Sequence, residues 1–273
     1  MLDTLKQFIC IKNKSTNHHK GFTIIELILI LGIIGVIAAV TIPVLITKCQ
    51  KYIIENRMKH TYALLQDVFS RAEADFEVLG NSEVVEKNTY TTDSFTNFVS
   101  VYMLPYLKNA KLYAGDNKLS LRELGYKDGI HRMNSSAYWA DSDFTPTCLR
   151  LANGVIIFTN SANFVTSSEG DKYYLSFRLI VDVNGPSGPN MRGVDTFNLI
   201  KYKIAGPIFL EGEARATTAH GSFSGDTYSF NSLTWETPTD SEIRSRCYSS
   251  ELTCGTLIKR NNWKFPKDYP YQF

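Results

Sequence analysis

Between Ile24 and Ile46 the chain runs for 23 residues with one charged side chain, Glu26. About 20 apolar residues in helical form cross the hydrocarbon core of a bilayer, so this run predicts a membrane span. It is longer than the ~7–15-residue apolar core of a secretory signal, and no small-residue cleavage site follows it. Lys6, Lys12, Lys14 and Lys20 precede it, with Asp3 as the single acid among residues 1–21. That excess of lysine keeps the N-terminus cytoplasmic and places everything after about Lys48 outside, although Lys48 and Lys51 also flank the run.

Composition adds one exclusion. The formal net charge is +2, but residues 1–21 carry +3, which leaves the remaining chain near −1. The basicity belongs to the N-terminal segment, so no nucleic-acid-binding face is implied by charge.

Glu26 is the anomaly within the span. On insertion scales an acidic side chain at the bilayer centre costs ~2.5–3.5 kcal/mol, so Glu26 either reaches water at the interface or finds a cation. A cut between Gly21 and Phe22 would create one, the α-amino group of Phe22, about one helical turn away or on a neighbouring helix. Pro43 removes a backbone donor and crowds the carbonyl of Ala39, which predicts a kink that neighbours or Thr41 relieve in part.

Lys20-Gly21-Phe22-Thr23-Ile24-Ile25-Glu26-Leu27 resembles the processing motif of type IV pilins and type II secretion pseudopilins. The resemblance is clear over about residues 20–75. It implies that a prepilin peptidase of the bacterial cytoplasmic (inner) membrane cuts after Gly21 and methylates Phe22. It further implies that Glu26 docks subunits and that Pro43 marks a stretch that melts on packing into a filament. The implied partners are other pilin or pseudopilin subunits, the peptidase and a membrane platform protein. The implied function is that of a structural filament subunit. The alternative is a minor or tip pilin acting as an adhesin or substrate-binding module.

After Lys48 the pattern becomes amphipathic. Ile54, Met58, Thr61, Leu65, Val68, Ala72 and Asp75/Phe76 recur at steps of three and four, which predicts a helix laid on a core. Gly80-Asn81-Ser82 reads as its stop. The expected organisation is a leader at 1–21, a helix at 22–79 (22–46 transmembrane, 47–79 amphipathic) and an exported domain at 80–273. Residues 81–94 read as a loop, and short helices are expected near Phe95–Leu107 and Leu119–Leu124. From Cys148 onward the chain reads as β. Residues 148–158 form a hairpin about Asn153-Gly154, a dipeptide suited to the positive φ angles of a tight turn. Tyr173–Val183 pairs with Phe197–Ile204, and short strands follow at Pro207–Leu210 and Tyr228–Trp235. The fold class is α+β, a long helix packed on an antiparallel sheet, which is also what the resemblance implies.

Three features bear on sites. The connection between the two strongest strands places Asp182, Asn184, Asn190 and Asp195 among glycines and prolines. Such oxygen-bearing side chains suit Ca²⁺, though the spacing is not that of an EF-hand, and a turn capped by its own side chains uses the same residues. Of five cysteines, Cys10 lies in the leader and four lie beyond the span, an even number that suits an oxidising compartment. The resemblance implies a disulfide-closed C-terminal loop between Cys247 and Cys254, while Cys148 stands as a rival partner. No enzyme motif is found, His60, His131 and His220 are isolated, and no catalytic residue or further cofactor is expected.

Overall fold

The computed structural model describes residues 23–75, 99–133, 135–159, 165–169, 172–201, 208–213, 215–218, 221–224, 227–230 and 233–271, with 96 and 273. The expected leader, the helix stop at 80–82 and the polar stretch 81–94 lie outside them. The chain divides into two compact units, Met1–Thr47 and Lys48–Phe273. Helix α1 (Ile24–Asp75, 52 residues) contributes to both.

In the first unit the helix carries Ile and Leu side chains on all sides, and they stay exposed: Ile24 is 79% exposed and Leu45 62%. A helix apolar all round has no preferred face to bury against a single sheet. This is the one helix among the described residues long and apolar enough to cross a membrane. It stays helical through Pro43. The hydroxyl of Thr41 donates to the carbonyl of Ile37 at 2.9 Å, and that of Thr47 to the carbonyl of Pro43 at 3.0 Å. The Thr41 hydroxyl thus bonds Ile37 and not the carbonyl of Ala39, which Pro43 leaves without its helical donor, so the expected relief by Thr41 is not made at that carbonyl.

The second unit is α+β. In the amphipathic half of α1, Ile54, Met58, Thr61, Leu65, Val68, Phe69 and Ala72 are buried. The expected stripe is present up to Ala72, with Phe69 added one step round the helix and Asp75 left exposed. Residues 99–102 are helical, and Leu121–Leu124 forms a one-turn helix, α2. Ser120 caps α2, accepting from the N–H of Glu123, whose carboxylate accepts from the N–H of Ser120 in return.

Among the described residues fourteen strands follow in chain order: β1 (Lys111–Tyr113), β2 (Ile130–Arg132), β3 (Ser135–Ala140), β4 (Thr147–Arg150), β5 (Ile156–Thr159), β6 (Val165–Glu169), β7 (Lys172–Asp182), β8 (Met191–Arg192), β9 (Thr196–Lys201), β10 (Phe209–Leu210), β11 (Arg215–Thr218), β12 (Gly221–Ser224), β13 (Thr227–Phe230) and β14 (Leu233–Glu236). The main sheet runs β1-β4-β5-β7-β9-β8-β2-β3, with β10 beside β9 and β6 beside β7. Its strong central pairs are antiparallel, as between β7 and β9, where Leu179 faces Leu199 and Val181 faces Phe197. The sheet is mixed, however, not antiparallel throughout. The short strand β8 lies parallel to both β9 and β2. With β9 the contact is a single bridge, Arg192 to Thr196, and the longer parallel pairing is with β2, which precedes β8 by about 60 residues and so needs no tight reversal.

The hairpin about Gly154 forms as expected, with φ +89° at the glycine and Cys148 opposite Phe158. The expected strand Tyr228–Trp235 is instead two strands. β11 pairs with β14 and β12 with β13, antiparallel and in a common register, outside the main sheet.

Strand alternation sorts the apolar side chains into two cores. Leu149, Ile157, Leu179, Val181 and Leu199 pack with Ile54, Met58, Leu65 and Phe69 of α1. Their neighbours Cys148, Ile156, Phe158 and Ile180 pack on the opposite face with Leu121, Leu124, Tyr126 and Ile130. Both faces are covered, which is why these strands read as continuous apolar runs. The C-terminal segment closes the first core. Helix α3 (Asp240–Ser250) and helix α4 (Cys254–Arg260) bring in Ile243, Leu257 and Ile258, and Phe265 and Tyr269 follow. At Gly255 a Cβ would come within 2.9 Å of the Leu210 Cδ2 and 3.0 Å of the Met58 Cε, so α4 packs closely here and a larger residue would make those side-chain ends move.

Candidate functional site

The beginning of α1 is organised by two polar side chains. The backbone N–H and the hydroxyl of Thr23 each donate to Oε2 of Glu26 at 2.9 Å, and the N–H of Glu26 donates back to Oγ1 of Thr23 at 3.3 Å. This is a capping box. It satisfies orphan donors at the helix start and sets a negative charge at the positive end of the helix dipole. Glu26 therefore has a partner on its own chain, which the sequence reading did not assign. The signal was present in Thr23-Ile24-Ile25-Glu26, the S/T-x-x-E spacing before an apolar run. Gly21 and Phe22, the expected cleavage and methylation residues, lie outside the described residues. Pro43 lies within the exposed apolar segment.

Asp182, Asn184, Asn190 and Asp195 come together where β7 leads into β8 and β9. Asp182 and Asp195 are fully buried. Oδ1 of Asp182 accepts from the N–H groups of Asn184 (3.1 Å) and Gly185 (2.8 Å), and Oδ2 accepts from the hydroxyl of Tyr126 at 2.6 Å. The two oxygens of Asp195 accept from the N–H groups of Asn190 and Met191, each at 2.7 Å. The Asn184 amide donates to the carbonyl of Gly188. Gly185 has φ +62°, and a Cβ there would meet the carbonyl oxygen of Gly154 at 2.5 Å, so the loop rests directly on the hairpin turn.

This donor pattern does not fit a calcium ion. Ca²⁺ takes six to eight oxygens, whereas here N–H and O–H groups already point at every carboxylate oxygen. Among the side chains of these four residues, the oxygens without a donor are Oδ1 of Asn184 and of Asn190, too few to make a site on their own. Among the described residues no group of three or more His, Cys, Asp and Glu is gathered to hold a metal. The residues named for metal are instead a turn capped by its own side chains. Burial pushes the Asp195 carboxyl up to about 6 against the help of its N–H donors, and burial with repulsion from Asp195 raises Asp182 well above the carboxylate range.

Cys247, in the last full turn of α3, and Cys254, the first residue of α4, form a disulfide, with Cα atoms 4.6 Å apart. Both are buried. The intervening reversal uses Glu251 at φ +62°, and the hydroxyl of Thr253 donates to the carbonyl of Ile243 at 2.6 Å. The rival Cys148 is a free thiol buried in the second core, where burial pushes it up to about 12. Cys49 is free and exposed. His60 is exposed and His131 lies half-buried in β2, while His220 is outside the described residues.

The C-terminal tail is pinned along α1. Trp263 packs on Tyr62 with ring centroids 5.3 Å apart. Lys259 donates to the Tyr62 hydroxyl at 2.8 Å and pairs with Glu213. The N–H of Phe265 donates to Oε1 of Glu55 at 2.8 Å, and the Lys51 ammonium lies 5.5 Å from the Phe265 ring centroid and 5.7 Å from that of Phe273.

The features together define an α+β protein with a long, capped, apolar N-terminal helix and a disulfide-closed C-terminal end. Residues 44–273 match a family of unknown function, DUF6613, and the chain belongs to that family. No curated protein and no solved structure matches it.

Proposed function

We propose that this chain is a prepilin-like structural subunit. It is held in the cytoplasmic membrane by residues 24–46, cut between Gly21 and Phe22 by a prepilin peptidase, methylated on Phe22, and assembled with pilin-like partners into a pilus or a secretion pseudopilus. The observation that carries this reading is the arrangement of α1. Its 24–46 segment is exposed and apolar on every side, begins at the Thr23–Glu26 cap, and continues into a segment buried in a folded domain. The cap alone would serve a helix that only anchors, but a carboxylate at the edge of the apolar run also suits subunits that must align along a common axis, because a neighbour's amine can reach it. The Phe22 amine of one subunit would take over the Glu26 carboxylate from Thr23 of another and so fix their axial offset.

Mass spectrometry of the protein purified from membranes containing a prepilin peptidase tests the reading. The expected N-terminus is N-methyl-Phe22. An intact leader, or an N-terminus elsewhere, overturns it. Glu26→Val is expected to be processed normally yet to be missing from sheared filaments, and its normal incorporation would refute the docking role.

A further inference from the structure

The end of the second unit that follows the apolar segment carries several cations, of which Lys51 alone is engaged, with the Phe265 and Phe273 rings. At 1.5 Å per helical residue, Lys48 follows Ile46 by about 3 Å, and Lys51 and Tyr52 follow it by about 8–9 Å. The headgroup layer on each side of a bilayer is roughly 5–8 Å deep. Lys48 and Lys51 therefore lie at headgroup depth if residues 24–46 span. Tyr52, 67% exposed, lies at its outer edge, where an amphipathic ring is favoured.

The C-terminal tail is drawn to the same level. The ring of Phe273 and that of Phe265 both lie against the Lys51 ammonium, and Glu55 fixes the Phe265 backbone. Lys264 and Lys267, on either side of Phe265 in the chain, are exposed. Their acidic neighbours are committed elsewhere: Glu55 to the Phe265 N–H and Asp268 to Arg244. Among the described residues Lys48, Lys264 and Lys267 are matched by no carboxylate. Lys48 and Lys51 on one face of the helix, with Lys264 and Lys267 flanking the buried Phe265 that Lys51 covers and the half-buried Phe273 beside it, complement a surface of opposite charge with an apolar layer beneath it.

We propose that Lys48, Lys51, Lys264 and Lys267, with Tyr52 and Phe273, seat this end of the domain on anionic phospholipid headgroups of the leaflet from which the helix emerges. The proposal rests on the reading of residues 24–46 as a span and does not depend on filament assembly. Electrostatic attraction of this kind falls away beyond a Debye length, so it orders the tail only while the span holds the domain at the surface.

The test is amide hydrogen exchange on the full chain in nanodiscs of phosphatidylcholine alone or with about 30 mol% phosphatidylglycerol, an anionic lipid. The expected result is at least roughly threefold slower exchange across 264–273 in the anionic discs, abolished by about 0.5 M NaCl. The variant carrying Lys→Gln at all four positions should show no lipid dependence. Equal exchange of the wild type in both discs overturns the proposal, and this comparison stands even where the variant folds poorly. Protection that follows protein concentration instead of lipid charge assigns the surface to a second copy and also overturns it. A chain that stays out of both kinds of disc refutes the span itself, and the docking with it.

Discussion

Replacing Asp195 by Asn probes the loop that carries the two buried carboxyls. The variant keeps the shape but gives up one hydrogen bond, because an amide offers a single oxygen to the two N–H groups of Asn190 and Met191. That loss costs about 1–3 kcal/mol at any pH. The charge effect opposes it. Burial holds Asp195 at about 6 in the folded chain, against 3.8 for the ordinary side chain. A raised carboxyl keeps its proton in the folded state while the unfolded chain releases it. Its contribution is therefore complete below pH ~4 and is lost as pH rises through ~6. Two units at 1.36 kcal/mol each amount to ~3 kcal/mol. Wild type should thus be the more stable near pH 3.5, and the advantage should vanish or reverse by pH 7. Urea denaturation of the full chain in mild detergent, followed by fluorescence across that range, gives both profiles. Millimolar Ca²⁺ should leave the wild-type profile in place. A wild-type advantage that stays constant or grows with pH would refute the reasoning, since it would mean that the two N–H donors keep Asp195 ionised. A profile displaced by Ca²⁺ would refute the self-capped loop.

Other outcomes are open to direct measurement. Leu65→Ala, at a fully buried position on α1, should lower stability by about 2–5 kcal/mol in the same assay. Opening the Cys247–Cys254 bridge by Ser substitution should cost ~2–3 kcal/mol by the loop-entropy model, and a change below 0.5 would show that packing alone holds the α3–α4 reversal. With Cys10 replaced by Ser, a thiol reagent at pH 7.5 should label Cys49 at once and Cys148 only on unfolding, read by peptide mass. Thr23→Ala should destabilise the start of α1 by about 0.5–2 kcal/mol, visible as faster amide exchange over residues 24–27, whereas unchanged exchange would mean that the cap is not made in solution.

The sequence was most legible where one local rule decided the outcome. The Asn153-Gly154 turn was fixed by the positive φ its geometry demands, and the stripe from Ile54 to Ala72 by helical spacing alone. Phe69 escaped because the stripe was traced as a single row, while a helix face one step wider was needed to cover the sheet. The helices on either side of the disulfide were not read from their own residues, although Thr239 and Glu242 carry the same capping spacing as Thr23 and Glu26. The parallel pairing of β8 left no trace, since two residues are too short for any periodicity and their register is set by β2 and β9. The four residues read for calcium were correctly gathered. Their protons were not legible, because the direction of an N–H depends on backbone angles that composition does not give.

The first core is closed by the two extremities of its own segment. The bond from Phe265 to Glu55 joins residues 210 apart, and Ile54 and Tyr269 belong to one buried cluster. Contacts of such sequence separation form late, after the cost of closing the loop has been met. A chain delivered N-terminus first cannot complete this core until Phe265 and the residues after it have arrived. On the proposed route of export the domain would cross the membrane as an unfolded polymer and fold only once released on the far side. A chain ending short of Phe265 would leave the 54–72 face of the helix without its last cover, a substrate for proteases rather than a smaller folded protein.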